Sequence, residues 1–149
     1  MRPDGGPLGP IDEATGLEAI DREECLLLLS REYVGRLALV DHDRPSIFPV
    51  NYRLDGQRIV IRTAAGTKLA AAGTGRWGAF EVDFSDRMAH QGWSVVASGP
   101  VAEITNHDEI SHLETLQLRP WAGGRDRWIV LIIEELSGRR LKAGHHEPR

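Results

Sequence analysis

Ser46-Ile-Phe-Pro-Val-Asn-Tyr-Arg-Leu-Asp-Gly-Gln-Arg-Ile-Val-Ile-Arg62 is the stretch that decides the fold class of this chain. Strand-forming runs flank Asp55-Gly56, and an Asp-Gly pair between such runs is a strong hairpin signal. Working outward, strand character recurs in Gly35–Val40, with Asp41–Pro45 as the turn into the central stretch. It returns in Trp77–Asp83, Gly92–Ile104 and Trp128–Leu136. Gly99-Pro100 interrupts the longest run and predicts a bulge or sharp bend, because proline has no N–H to give a ladder. A helix is predicted over Asp21–Glu32, with Asp21 as cap and Glu24 three residues later completing a capping box. A second runs from a cap at Thr105 or Asn106 to about Leu118, and Thr67–Ala72 has room for one or two helical turns. Six strands with hairpin-length connections and two or three helices predict a mainly β protein, a small antiparallel barrel. The strands do not alternate with helices, which disfavours a doubly wound parallel sheet.

The 149 residues suit one domain. Residues 1–19 are expected to be a flexible arm, 20–142 the barrel, and 143–149 a disordered tail. Cys25, the single cysteine, excludes an intrachain disulfide framework and any multi-cysteine metal site. No apolar run approaches the roughly 20 residues of a membrane span, and the N-terminus lacks the apolar centre of a signal peptide. A cytoplasmic protein without membrane or nucleic-acid partners is expected. A net charge of −4 argues against a basic nucleic-acid face. Of the 18 basic residues only Lys68 and Lys142 are lysine. GC-rich coding accounts for that bias, yet it makes Lys68 conspicuous.

Lys68 belongs to the most informative segment, Arg58-Ile-Val-Ile-Arg-Thr-Ala-Ala-Gly-Thr-Lys-Leu-Ala70. A strand ends at Arg62-Thr63, a glycine-containing loop follows, and Thr67-Lys68 opens a helical turn. Two cations, two hydroxyls and free backbone N–H groups at one point suit a phosphate group. The spacing is not that of a Walker A loop. A solvated hairpin turn is the competing reading of the same residues.

Four short motifs in order carry a resemblance: Phe48-Pro-Val-Asn-Tyr52, Ile61-Arg-Thr63 with Gly66-Thr-Lys68, Trp93-Ser-Val-Val-Ala-Ser-Gly99, and Arg119-Pro-Trp121 before a terminal strand. Over about residues 20–142 the chain resembles the pyridoxamine 5′-phosphate oxidase-like proteins. These are FMN-binding split β-barrels, antiparallel and Greek-key-like, that work as homodimers with the cofactor at the subunit interface. The resemblance implies an FMN-dependent oxidoreductase. It places Arg62, Thr63, Thr67 and Lys68 at the FMN phosphate and ribityl chain. Pro49, Val50 and Asn51 match the strand whose backbone follows the isoalloxazine edge. Trp93, Ser94 and Val95 match the strand that reaches the flavin held by the other subunit. Trp121 and Arg127 match the C-terminal closure of the site. In physical terms, Val50 and Val95 are candidates for the walls of an apolar slot, Asn51 for a ring-edge hydrogen bond, and Trp93 for stacking or for core.

One departure bears on the substrate. Pyridoxamine phosphate oxidases end in a basic, tryptophan-containing motif, whereas here the end is Ile132-Ile-Glu-Glu-Leu-Ser-Gly-Arg-Arg-Leu-Lys142. A small molecule other than pyridoxamine phosphate is therefore expected. Deazaflavin or heme is the alternative cofactor, and a non-catalytic carrier of such a ligand is the alternative function. No metal site is expected: His107 and His112 are five apart, off the i, i+4 spacing of a helical pair. His145-His146 reads as solvated tail, Asp83–Gln91 as a polar loop that either lines a pocket mouth or does not, and Cys25 as an inert core thiol.

Overall fold

The computed structural model describes residues 16–64, 69, 75–119 and 126–141. Its elements are β1 (Glu18–Ile20), α1 (Arg22–Arg31), β2 (Val34–Asp41), β3 (Arg44–Asp55), β4 (Arg58–Ala64), β5 (Arg76–Asp86), β6 (Gln91–Ile104), α2 (His107–Glu114), β7 (Asp126–Ile132) and β8 (Glu135–Leu141). The strand order β6-β5-β2-β3-β4-β7 returns to β6, closing a six-stranded barrel in which every pairing is antiparallel. β8 pairs with the other half of β6 and carries β1 on its outer edge. The expected mainly β split barrel is the observed one.

Turn chemistry sets the hairpins. His42 and Asp43 both take positive φ, 49° and 62°, the pattern of a two-residue turn whose twist matches its strands. Gly56 does the same at φ 62° between Asp55 and Arg58. Alternation then sends Leu37, Leu39, Val50, Tyr52, Ile59, Ile61, Phe80, Val82, Val95, Ile129 and Leu131 into one core. Helix α1 begins where Asp21 accepts a hydrogen bond from the Glu24 N–H at 2.9 Å. Cys25, Leu28 and Leu29 pack it onto the barrel. Tyr52 fastens it there, donating its hydroxyl to the Leu29 carbonyl at 2.5 Å. Helix α2, capped by Asn106, covers the outer face of β4 and β7, where Leu113 and Leu118 meet Val60, Trp128 and Val130. At its side Asp55 takes hydrogen bonds from Arg58 and pairs with His112. Burial opposes ionisation of Asp55, but those two partners outweigh it and hold the carboxyl below its usual range.

Four expectations are corrected. The run Trp128–Leu136 is two strands, because Ile133 N–H turns to the Gln57 carbonyl and Glu134 N–H to Ser98. The arm 1–19 gives its last two residues to β1, whose Glu18 is buried. Of the bulge or sharp bend expected at Gly99-Pro100, the bulge is absent, since the β5–β6 register runs unbroken from Arg76↔Val101 to Asp86↔Gln91. The proline is tolerated because β6 pairs with β8 up to Ser98 and with β7 from Val101, so Pro100 falls between the two ladders. The second helix stops at Glu114 rather than near Leu118, with Thr115 closing it onto His112 and Leu113 and Gln117 at φ 55°. The helical turn expected at 67–72 and the C-terminal tail lie outside the described residues, apart from Leu69, which is buried.

Candidate site at the parting of β3 and β4

β3 pairs with β4 only from Tyr52 to Asp55, and with β2 from Arg44 to Asn51. Beyond Tyr52↔Ile61 the two strands leave each other's ladder. Asn51 and Arg62 stand on the two sides of that parting, and the chain after α2 lies across it. Arg62 donates Nη1 to the Leu118 carbonyl at 3.0 Å. Asn51 lines an open pocket of about 180 Å³ with Tyr33, Arg53, Gln117, Leu118 and Arg119. Arg53 lies over the Tyr33 ring at 4.9 Å and donates to its neighbour's carbonyl at 2.8 Å. The pocket is smaller than the roughly 300–1,000 Å³ that encloses a drug-sized ligand. It offers one aromatic face, two amides and two guanidinium groups.

Beside this pocket, one cation of β4 and one of β7 are matched by carboxylates. Besides Leu118, Arg62 pairs through Nη2 with the Asp126 carboxylate and lies 4.9 Å from the Trp128 ring. Its Nε is enclosed with no partner among the described residues. Arg127 forms a two-point pair with Glu103, Nε to Oε1 at 2.5 Å and Nη2 to Oε2. That pair holds the Glu103 carboxyl below its usual range, against the opposing effect of burial, and raises Arg127.

Of the residues singled out in the sequence, Asn51 lines the pocket and Arg62 reaches its Leu118 wall from the other side of the parting. Pro49 is exposed on the same outer face of β3 as Asn51. Thr63 is buried, one residue along from Arg62 and so turned to the opposite face of the sheet. It pairs in register with Arg127. Val50 and Val95 are not walls of an outer slot: both side chains are buried in the barrel core, which leaves only their backbone to line a ligand. Trp93 is half-buried against that core, beside Phe84 and Arg140 in the ladders, and Ser94 pairs with Asp83 and Arg139. Arg62 is level with Trp128 and hence with Ile104 at the end of β6. Trp93–Val95 lie at its beginning, roughly 30–35 Å of strand away. Thr67, Lys68 and Trp121 lie outside the described residues.

Sequence reasoning missed Tyr33, Arg53, Gln117 and Asp126. Alternation places Arg53 on the same face as Asn51, a signal present in the sequence. Nothing local marks Asp126, which meets Arg62 only through the β4–β7 register. Cys25 is the inert thiol expected, pushed up to about 11 mainly by burial and then by the charges of Asp21 and Glu24. No helix among the described residues is long and apolar enough to cross a membrane.

Known proteins share this fold. A family profile described as pyridoxamine 5′-phosphate oxidase matches residues 21–140. An uncharacterised protein of Mycobacterium tuberculosis is 29% identical over 135 residues, 87% of this chain and 88% of the relative. The solved FAD-binding protein of Mycobacterium smegmatis is 28% identical, with a TM-score of 0.74 over 83% of this chain and 99% of that one. A Corynebacterium glutamicum structure, provisionally named a pyridoxamine 5′-phosphate oxidase, is 30% identical, with a TM-score of 0.77 over 87% of this chain and 96% of its own. With matched residues running from the cap of α1 to the end of β8, the chain belongs to the pyridoxamine 5′-phosphate oxidase family.

Proposed function

We propose that the protein is a flavin-dependent oxidoreductase, a homodimer that holds a flavin nucleotide between its copies and acts on a small molecule other than pyridoxamine phosphate. The observation that carries this reading is the parting of β3 and β4, where Asn51 and Leu118 line an open pocket and Arg62, across the parting, holds the Leu118 carbonyl, on a barrel of this family. The residues there fit the group: Arg62 retains an enclosed, unpartnered Nε among the described residues, and the outward row at Pro49 and Asn51 leads to the exposed ring of Tyr33. Bound flavin supplies the electron transfer, and the chain supplies the anchor, the slot and the exclusion of water. The resemblance in the motifs implies FMN, while the Mycobacterium smegmatis relative at 28% identity binds FAD. Both present the same ring to the protein.

Assembly from two copies is supported by the motif resemblance, in which the strand matched by Trp93, Ser94 and Val95 reaches the flavin of the other subunit. It is supported again by the outer face of β3-β2-β5-β6, where Ile47, Val40, Trp77 and Val96 are exposed in neighbouring rows. An apolar strip of this kind on a sheet marks a contact surface.

The visible spectrum of the purified protein tests the cofactor. Oxidised-flavin bands that bleach with reductant and return in air are expected, and a Soret band or a colourless protein that ignores added flavin would overturn the proposal. Lys68→Ala tests the anchor: FMN binding should weaken about ten- to a hundredfold, since a charge-assisted hydrogen bond is worth roughly 1.5–3 kcal/mol. Riboflavin, lacking the phosphate, should be unaffected. Equal loss of both ligands would remove Lys68 from the phosphate site.

A further inference from the structure

Arg62 is the described cation that the motifs place at the phosphate, and the fold gives it a built-in anion. Asp126 opens β7 beside Ala64, the last residue of β4, and its carboxylate pairs with the Arg62 guanidinium. The neighbouring Arg127 is matched in the same way by Glu103. An incoming phosphate at Arg62 meets a like charge, that of Asp126, in direct contact with its ligand.

Flavin nucleotides differ in this respect. The terminal phosphomonoester of FMN carries close to two charges at neutral pH, as phosphate monoesters do, with a second pKa near 6. In FAD the same phosphate is part of a diphosphate bridge and carries one charge, the second lying a bond further away. A like charge in partly desolvated contact acts more strongly on a doubly charged group than on a singly charged one.

We propose that Asp126 is a specificity-determining residue of the nucleotide anchor, partly neutralising Arg62 so that the site selects a diphosphate-linked flavin over a flavin monophosphate. This rests on the reading of Arg62 as part of the anchor. Asp126 is a positioning residue in this scheme. Its length and charge set what Arg62 offers, and it touches no reacting atom.

Fluorescence titration of the full-length protein with FMN, FAD and riboflavin at low salt tests it, using wild type, Asp126→Asn, Asp126→Glu and Arg62→Ala. The quantity read is the change in the FMN-to-FAD affinity ratio, because contacts of the adenosine half contribute to wild type and variant alike. Asp126→Asn should tighten FMN about tenfold and FAD about threefold or less. Riboflavin should be unchanged, and Asp126→Glu should keep the wild-type ratio. A merely structural role would loosen all three ligands together and lower the melting temperature. If Arg62→Ala weakens both nucleotides while Asp126→Asn leaves their ratio unchanged or loosens FMN, Arg62 anchors the phosphate and Asp126 does not select it. If Arg62→Ala leaves both nucleotides unchanged, the anchor reading falls and the selection with it.

Discussion

The two ends of β6 differ in kind. At its C-terminal end, Ile104 leads across Trp128 to Arg62 in a mouth of paired charges roofed by α2. At its N-terminal end, Trp93 and Ser94 lie between Phe84 and Asp83 on one side and Arg140 and Arg139 on the other, with Phe84 and Met88 exposed. The first end has the chemistry of an anion anchor and the second that of an aromatic wall. A flavin nucleotide needs both, and β6 runs from one to the other. On the proposed two-copy reading, the difference is that each end supplies what the other lacks.

The largest expected effect breaks the connection between the ends. A Cβ at Gly99 would fall on the Ile132 carbonyl oxygen, which is backbone and has nowhere to go. Gly99→Ala should cost at least about 3 kcal/mol and lower the melting temperature by roughly 10 °C. A variant melting with the wild type would mean that the partner switch of β6 is not held by this contact. Next in size is a complementation test. Arg62→Ala and Trp93→Ala should each weaken FMN about tenfold or more. Mixing the two variants under exchange should restore tight binding in about a quarter of the sites, as a two-fold dimer with shared sites requires. No recovery in a mixture shown to exchange would place both ends in one copy's site or outside it.

A smaller effect separates the ends by pH. The folded-state pKa of Glu103 is lowered by Arg127, so the pair contributes stability above the unfolded value, usually about 4.5. That contribution is lost as pH falls through the lower folded value. Melting temperatures followed downward from pH 5 should fall more steeply for wild type than for Glu103→Gln, and parallel curves would detach the pair from acid stability. The smallest effect is at Cys25, on the α1 side of β8. Its thiol stays protonated at pH 8, so a thiol reagent should label the folded protein hardly at all and the unfolded protein fully.

What was legible in the sequence follows the range of the forces involved. Asp55-Gly56 and Asp21 act over three or four residues, so the central hairpin and the cap of α1 are readable directly. β1 was not, because Glu18–Ile20 is a strand only through β8, far along the chain. Nor was the break between β7 and β8, which contains neither glycine nor proline and is set by hydrogen bonds to Gln57 and Ser98. Pro100 misled for the same reason, since its neighbours across the sheet, not along the chain, decide whether its missing N–H matters. At the candidate site, Arg62 and Asn51 were singled out by motif order. The matching of Arg62 by Asp126 was not, because it depends on register between segments 64 residues apart.

The sharing of β6 among β5, β7 and β8 also fixes an order of events during synthesis. β5 and β6 can pair as soon as both have emerged, being joined by a short turn. The opposite edge of β6 must wait for residues 126–141, as must the free edge of β4. Until then a nascent chain carries two open strand edges beside apolar side chains, a template for pairing with other chains. Closure through such distant contacts is slow, so the stretch between the end of β6 and the completion of β8 is the interval in which this protein most needs protection from its neighbours on the ribosome.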